Sequence, residues 1–148
     1  LQSDWGVSAD VWSVTSWTEL RRDALAAERA ALLDPAAPAR VPYVTQRLAE
    51  APGPVVAVSD YMRAVQDQIR PFVPGDFMSL GTDGWGMSDT RGALRRHFLV
   101  DAEAITVQAL AMLARQGAVD PQAVATAARQ YRLDDPGSAE AGNTEGGG

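Results

Sequence analysis

Alternation of short apolar runs with helix-spaced segments narrows the folds open to this chain more than any other feature of its 148 residues. Val11-Trp12-Ser13-Val14-Thr15 is rich in β-branched and aromatic side chains, Pro54-Val55-Val56-Ala57-Val58-Ser59 is a mainly apolar run, and Asp76-Phe77-Met78-Ser79-Leu80-Gly81 is of similar length. Each has the length and composition of a strand. Helical segments separate them, and strands joined through helices lie parallel, with both sheet faces covered. The predicted fold is therefore α/β, a three-layer sandwich around a mostly parallel sheet. Three strands make that sheet narrow. A further N-terminal strand and helix are expected to be missing, and a start at Leu1-Gln2-Ser3 without methionine is read as that of a piece or a processed product.

Helix boundaries follow from capping chemistry. Ser16-Trp17-Thr18-Glu19 has the spacing in which each polar side chain satisfies an amide of the other, and Leu20, Ala24, Ala27 and Ala31 then recur on one face until Asp34-Pro35. Asp60 is expected to cap a second helix with Met62, Val65 and Ile69 inward, stopped by Pro71. A short helix is predicted from about Ser88, with Leu94 and Phe98 on one face. Asp101 opens a helix carrying Ile105, Ala109, Met112 and Leu113 and closed by Gly117; Asp120-Pro121 opens the last, with Val124, Ala127, Ala128 and Tyr131 inward. The domain is expected over residues 1–133, with a disordered tail over 134–148 that lacks large apolar anchors.

Composition removes several chemistries. The chain has no cysteine and one histidine, which excludes disulfides, thiolate metal sites and cysteine nucleophiles and leaves little for zinc or iron. Thirteen basic against nineteen acidic residues give a net charge of −6, repulsive to nucleic-acid phosphates, and the basic run from Arg91 to His97 is short and interrupted. No run approaches the roughly 20 consecutive apolar residues of a membrane span, and no basic, then apolar, cleavable leader is present. The expectation is a cytoplasmic protein with neither nucleic acid nor membrane as partner.

Gly81-Thr82-Asp83-Gly84-Trp85-Gly86 follows a predicted strand, where open α/β sheets present their functional loops. Its glycines match neither the dinucleotide fingerprint nor a phosphate-binding loop. Two readings stand together: a turn that needs glycine for its backbone, and a loop that also meets a substrate channel or a partner. Asp83 and Asp89 have no spacing that fixes opposed carboxylates; Asp83 can hold the turn, and Asp89 falls in the first turn of the predicted helix. Ser59, Ser79 and Ser88 lie in no nucleophile motif, and no spacing joins them to His97 in a triad. Histidine at the end of the short helix suits its terminal carbonyls, or contact with an anion or partner. Arg91 and Arg95 stand at i and i+4 beside Arg96, so at least one needs a carboxylate, for which Asp101 and Glu103 are at hand. Of Trp5, Trp12, Trp17 and Trp85, core packing accounts for two; Trp17 and Trp85 are the interface candidates.

Four groups of residues stand out together: Asp4 to Ser16 with Glu19-Leu20; Arg40-Val41-Pro42-Tyr43; Ser59-Asp60-Tyr61-Met62; and Leu80 to Gly86 with Ser88-Asp89, Arg91, Leu94-Arg95-Arg96-His97-Phe98 and Val100-Asp101. Taken in this order they resemble the C-terminal domain of the homodimeric pyruvate dehydrogenase E1 family, which has a transketolase-like plan. Ordered agreement across these segments is far more specific than one glycine turn. Trp85 stands where relatives commonly have phenylalanine, keeping the aromatic ring and adding a hydrogen-bond donor.

The resemblance implies a three-domain parent that decarboxylates pyruvate on thiamine diphosphate and reductively acetylates the lipoyl group of the E2 component. In that family the first domain holds Mg2+ and the diphosphate, and the middle domain holds the pyrimidine. Gly75-Asp76-Phe77 and Thr82-Asp83-Gly84 only imitate pieces of the metal motif, so no catalytic, cofactor or metal residue is expected in this chain, and it is expected to be inactive alone. The third domain of the family contributes to the dimer beside the active-site entrance. That implies an interface or substrate-channel position for Asp83, Trp85, Ser88, Arg91, Arg95, Arg96 and His97, with the remaining E1 domains and a second E1 subunit as partners and E2 as a further one. The alternative is a non-catalytic dimerisation or docking module that keeps the fold.

Overall fold

The computed structural model describes residues 1–138. In chain order its elements are α1 (Gln2–Trp5), α2 (Trp17–Leu33), α3 (Tyr43–Leu48), β1 (Val55–Val58), α4 (Arg63–Asp67), a 3-10 turn (Arg70–Phe72), β2 (Phe77–Leu80), α5 (Arg91–His97), α6 (Ala102–Arg115) and α7 (Pro121–Gln130). β1 and β2 pair in parallel, Val55 opposite Phe77 and Val58 opposite Leu80, and they form a two-stranded sheet. The α/β character and the parallel pairing agree with the sequence.

The first predicted strand does not form. Residues 11–15 carry no ladder bonds, Val11 is 95% exposed, and the Arg47 guanidinium lies over the Trp12 ring at 5.3 Å. A strand exists through its pairing partner, and the sheet consists of β1 and β2, with residues 11–15 paired to neither.

Caps decide the helices. The Ser16 hydroxyl accepts the Glu19 amide, Asp101 accepts that of Ala104 and Asp120 that of Gln122, all at the expected positions. Gly117, at φ +74°, closes α6 in the left-handed region that suits glycine. Two starts differ. α4 begins after Met62, because Asp60 is turned outward and its carbonyl accepts the Thr82 hydroxyl. α5 begins after Thr90, whose hydroxyl accepts the Ala93 amide, so Ser88 and Asp89 precede the helix. The inner faces also shift: Ala31 of α2 is exposed, and α6 buries Ala104, Val107 and Leu110 beside the expected Met112.

Two apolar clusters result. Val44, Ala57, Ile69, Val73 and Phe77 form the cluster at the sheet, joined by the partly buried Trp17 and Leu20. Val107, Leu110 and Ala127 form the other, covered by Leu1, Trp5 and Val7 from the N-terminus. Residues 91–115 are long and apolar enough by composition to match a membrane span. They form two helices, however, separated by a turn in which Leu99 has φ 56°, and much of α6 is core.

The N-terminal cover is fastened by one phenol. Tyr131 Oη accepts from Trp5 Nε1 at 2.8 Å and donates to Asp4 Oδ2 at 2.6 Å, with the two rings edge to face. The bond from Tyr131, then that from Ser3, lowers the Asp4 pKa; burial first, then the bond to Asp4, raises that of Tyr131. The Asp4 contribution is complete above its ordinary value of 3.8 and disappears as pH falls through the lower folded value. Tyr131→Phe is expected to lower the melting temperature at pH 7 by about 2–4 °C, with the difference shrinking in strong acid; thermal melts of both proteins across that range check it.

Of the expected tail, Asp134 to Ser138 start with bonds back to the body: Arg132 pairs with Asp135, and Ser138 bonds to Arg96 and to the Arg132 carbonyl. Residues 139–148 lie outside the described part.

Candidate functional site

Parallel strands deliver their following loops to the same sheet edge, and here those loops, residues 59–62 and 81–90, interlock. Ser59 N–H donates to the Leu80 carbonyl and Thr82 N–H to that of Tyr61. Asp83 accepts twice from Arg63, at 2.9 Å from its amide to Oδ1 and at 2.7 Å from Nε to Oδ2. These bonds, the amide first and the side chain second, hold the Asp83 carboxyl below its ordinary range. The loops approach so closely at Gly81 that a Cβ there would stand 2.4 Å from the Tyr61 carbonyl oxygen.

Beneath them Gln66 is fully buried, its amide nitrogen donating to Ser59 Oγ at 2.7 Å and to the Leu80 carbonyl at 2.9 Å. Its Oε1 has no hydrogen-bond partner among the described residues. Nothing in the sequence marked Gln66 as interior, because it sits on a short helix whose apolar spacing was read from Met62, Val65 and Ile69. Arg63 was missed for the same reason. The carboxylate at Asp83 was the one available signal that a partner was needed.

Beyond Asp83 the loop faces solvent. Trp85 is 98% exposed, Met87 lines the same groove, and Tyr61 and Met62 on the neighbouring loop are exposed too. Behind Trp85, shallow grooves of about 220 and 350 Å³ run along α5, both lined by Thr82, Leu94 and Phe98. The larger also meets Arg91 and Arg95, and its carboxylates Asp60 and Asp89 balance those charges. Arg95 reaches Asp60 at 3.8 Å, a half-exposed pair worth little. Ser88 and Arg91 are exposed, and His97 ends α5 with its ring edge-on to Phe98 at 4.9 Å.

Of the seven candidates, Trp85, Arg91 and Arg95 line these grooves, Asp83 anchors the base of the loop, and Ser88 and His97 are exposed on the same loop and helix. Arg96 is the correction. It is 2% exposed and points inward, where Nε binds Asp101, Nη2 lies 3.5 Å from Glu103 and Nη1 donates to the Tyr131 carbonyl at 2.9 Å. The helical spacing that set Arg91 and Arg95 on one side sends the adjacent Arg96 to the other.

Ser59 is held by Gln66, and Ser79 donates to Asp67 at 2.6 Å. No step through thiamine diphosphate or its metal is derivable from these donors. Both Asp83 oxygens are occupied by Arg63, Asp76 accepts from Gln116, and no cluster of three metal-ligating side chains occurs among the described residues.

Known proteins place this arrangement. The chain is 58% identical over 139 residues to the pyruvate dehydrogenase E1 component of Mycolicibacterium smegmatis, covering 94% of this chain and 15% of that protein. It is 56% identical over 147 residues to the corresponding component of Mycobacterium tuberculosis, 99% of this chain and 16% of that protein. With that of Escherichia coli strain K12 it shares 47% over 135 residues, 90% and 15% respectively. The chain therefore spans about 15% of the length of these relatives. Residues 1–101, from the N-terminal cover to the cap of α6, match the transketolase-like TK C-terminal domain, and the chain belongs to that family.

Proposed function

We propose that the chain is a portion of a pyruvate dehydrogenase E1 enzyme and supplies subunit-contact and active-site-entrance surface to it. Identity of 58% over 94% of the chain to a protein of that name carries this reading. The exposed Trp85 loop adds a physical reason: an indole 98% exposed and flanked by apolar side chains is the kind of group that anchors interface cores. The occupant is a second E1 subunit, seated with the remaining E1 domains against the loop and α5. Those domains hold Mg2+ and thiamine diphosphate, the cofactor that supplies the electron sink for decarboxylating pyruvate. The E2 component, whose lipoyl group takes the acetyl product, is a further partner, and the assembly works in the cytoplasm. The isolated chain is inactive, because its own donors meet the needs of its fold.

Trp85→Ala in the full-length enzyme is expected to weaken subunit association about tenfold to hundredfold, since truncating a buried aromatic anchor costs about 2 kcal/mol. Asp89→Ala removes one exposed charge, whose Oδ1 accepts from the Thr90 amide, and is expected to change association by less than about threefold. Sedimentation analysis of both variants measures the difference. Equal dissociation constants and equal turnover would overturn the assignment of this surface.

A further inference from the structure

The Trp85 loop has a physical peculiarity at its base. An exposed loop rich in glycine ordinarily loses conformational freedom when a partner immobilises it, and that loss subtracts from affinity. Here the loop is bonded to the body at Thr82 and Asp83, and the residues just beyond are exposed. The Asp83 carboxylate takes the Arg63 amide on one oxygen and the Arg63 Nε on the other, so one residue grips it by both main chain and side chain. Thr82 is fastened twice more, through its amide to the Tyr61 carbonyl and its hydroxyl to the Asp60 carbonyl at 2.7 Å. Two residues later Trp85 stands almost wholly in solvent, and at Gly84 between them a Cβ would lie 2.8 Å from the edge of the Phe98 ring.

We propose that the Asp83–Arg63 clasp is a positioning element that fixes the direction in which Trp85 projects, so that association with the neighbouring subunit proceeds with the loop already ordered. This inference rests on the assignment of the Trp85 surface as a subunit contact. It changes the role of Asp83 from contact residue to support: both its oxygens are spent within the chain, and its effect on assembly passes through Trp85. The carboxylate keeps its charge throughout the neutral range, since the same bonds depress its pKa.

A double-mutant cycle in the full-length enzyme tests this. Asp83→Ala is expected to weaken subunit association about tenfold. Asp83→Asn keeps an acceptor for the Arg63 amide but opposes Nε, and is expected to cost about threefold, as is Arg63→Ala. In a Trp85→Ala background each of these changes is expected to have no further effect, which a general loss of stability would not reproduce. Amide exchange at Arg63 and Thr82 should quicken in Asp83→Ala while that of α6 stays unchanged. If Asp83→Ala fails to fold, the Asn and Arg63 variants complete the cycle. Losses that add fully to that of Trp85→Ala overturn the clasp, as does unchanged association in the Asp83 and Arg63 variants when Trp85→Ala alone is impaired. Unchanged association in Trp85→Ala itself overturns the surface assignment, and with it the clasp.

Discussion

Replacing Arg96 with alanine is expected to remove about 3–5 kcal/mol of stability, the cost of leaving a buried ionic partner uncompensated. The guanidinium is 2% exposed and the Asp101 side chain 11%. Asp101 has two tasks, since its Oδ1 caps α6 through the Ala104 amide at 2.9 Å while its Oδ2 takes Arg96. Alanine would also strip donors from the Tyr131 and Arg132 carbonyls just after α7, so the loss spreads from the start of α6 to the end of α7. Urea denaturation of the 148-residue protein measures it. The half-exposed or more exposed pair Arg22–Glu19 provides the control: its side chains are 71% and 61% exposed, and Arg22→Ala is expected to cost less than about 0.5 kcal/mol. Similar losses for the two variants would show that Arg96 is solvated.

Gly81→Ala is the second large effect. The added methyl would meet main-chain atoms, 2.4 Å from the Tyr61 oxygen and 2.9 Å from the Arg63 nitrogen, and neither can turn aside as a side chain does. The loops after β1 and β2 would have to part, breaking the bond from Thr82 to Tyr61 and disturbing the clasp. The expected loss is about 3 kcal/mol, at the upper end for overpacking. At Gly84 the methyl meets the rim of the Phe98 ring, which can rotate, and Gly84→Ala is expected to cost about 1 kcal/mol. Denaturation midpoints of the two variants provide the comparison, and an equal or smaller loss for Gly81→Ala would contradict the close approach.

Local chemistry was the legible part of the sequence. Ser16, Asp101 and Asp120 cap their helices because a side-chain oxygen answers an amide two or three positions on, a relation contained in the sequence itself. β1 and β2 were legible for a similar reason, as short apolar runs between breakers. Val11 to Thr15 has strand composition too, but pairing depends on a neighbour at long range, and composition cannot say whether that edge is supplied. α3 went unread because a helix of six residues opened by Pro42 gives little periodicity. At the functional surface the glycine loop and its exposed aromatic were visible in the letters. The inward turn of Arg96, the grip of Arg63 and the burial of Gln66 were not, since each depends on which side of a short helix meets the sheet or the last helices.

The bond from Trp5 to Tyr131 spans 126 positions of the chain. At ribosomal speeds of about 5–20 residues per second, some 6–25 s separate the emergence of the indole from that of the phenol that receives it. Throughout that interval Leu1, Trp5 and Val7 lack the α7 surface that covers them, whereas the sheet cluster is already complete once Phe77 has been made. During synthesis the sheet cluster can therefore close first, while Leu1, Trp5 and Val7 stay uncovered until α7 is released.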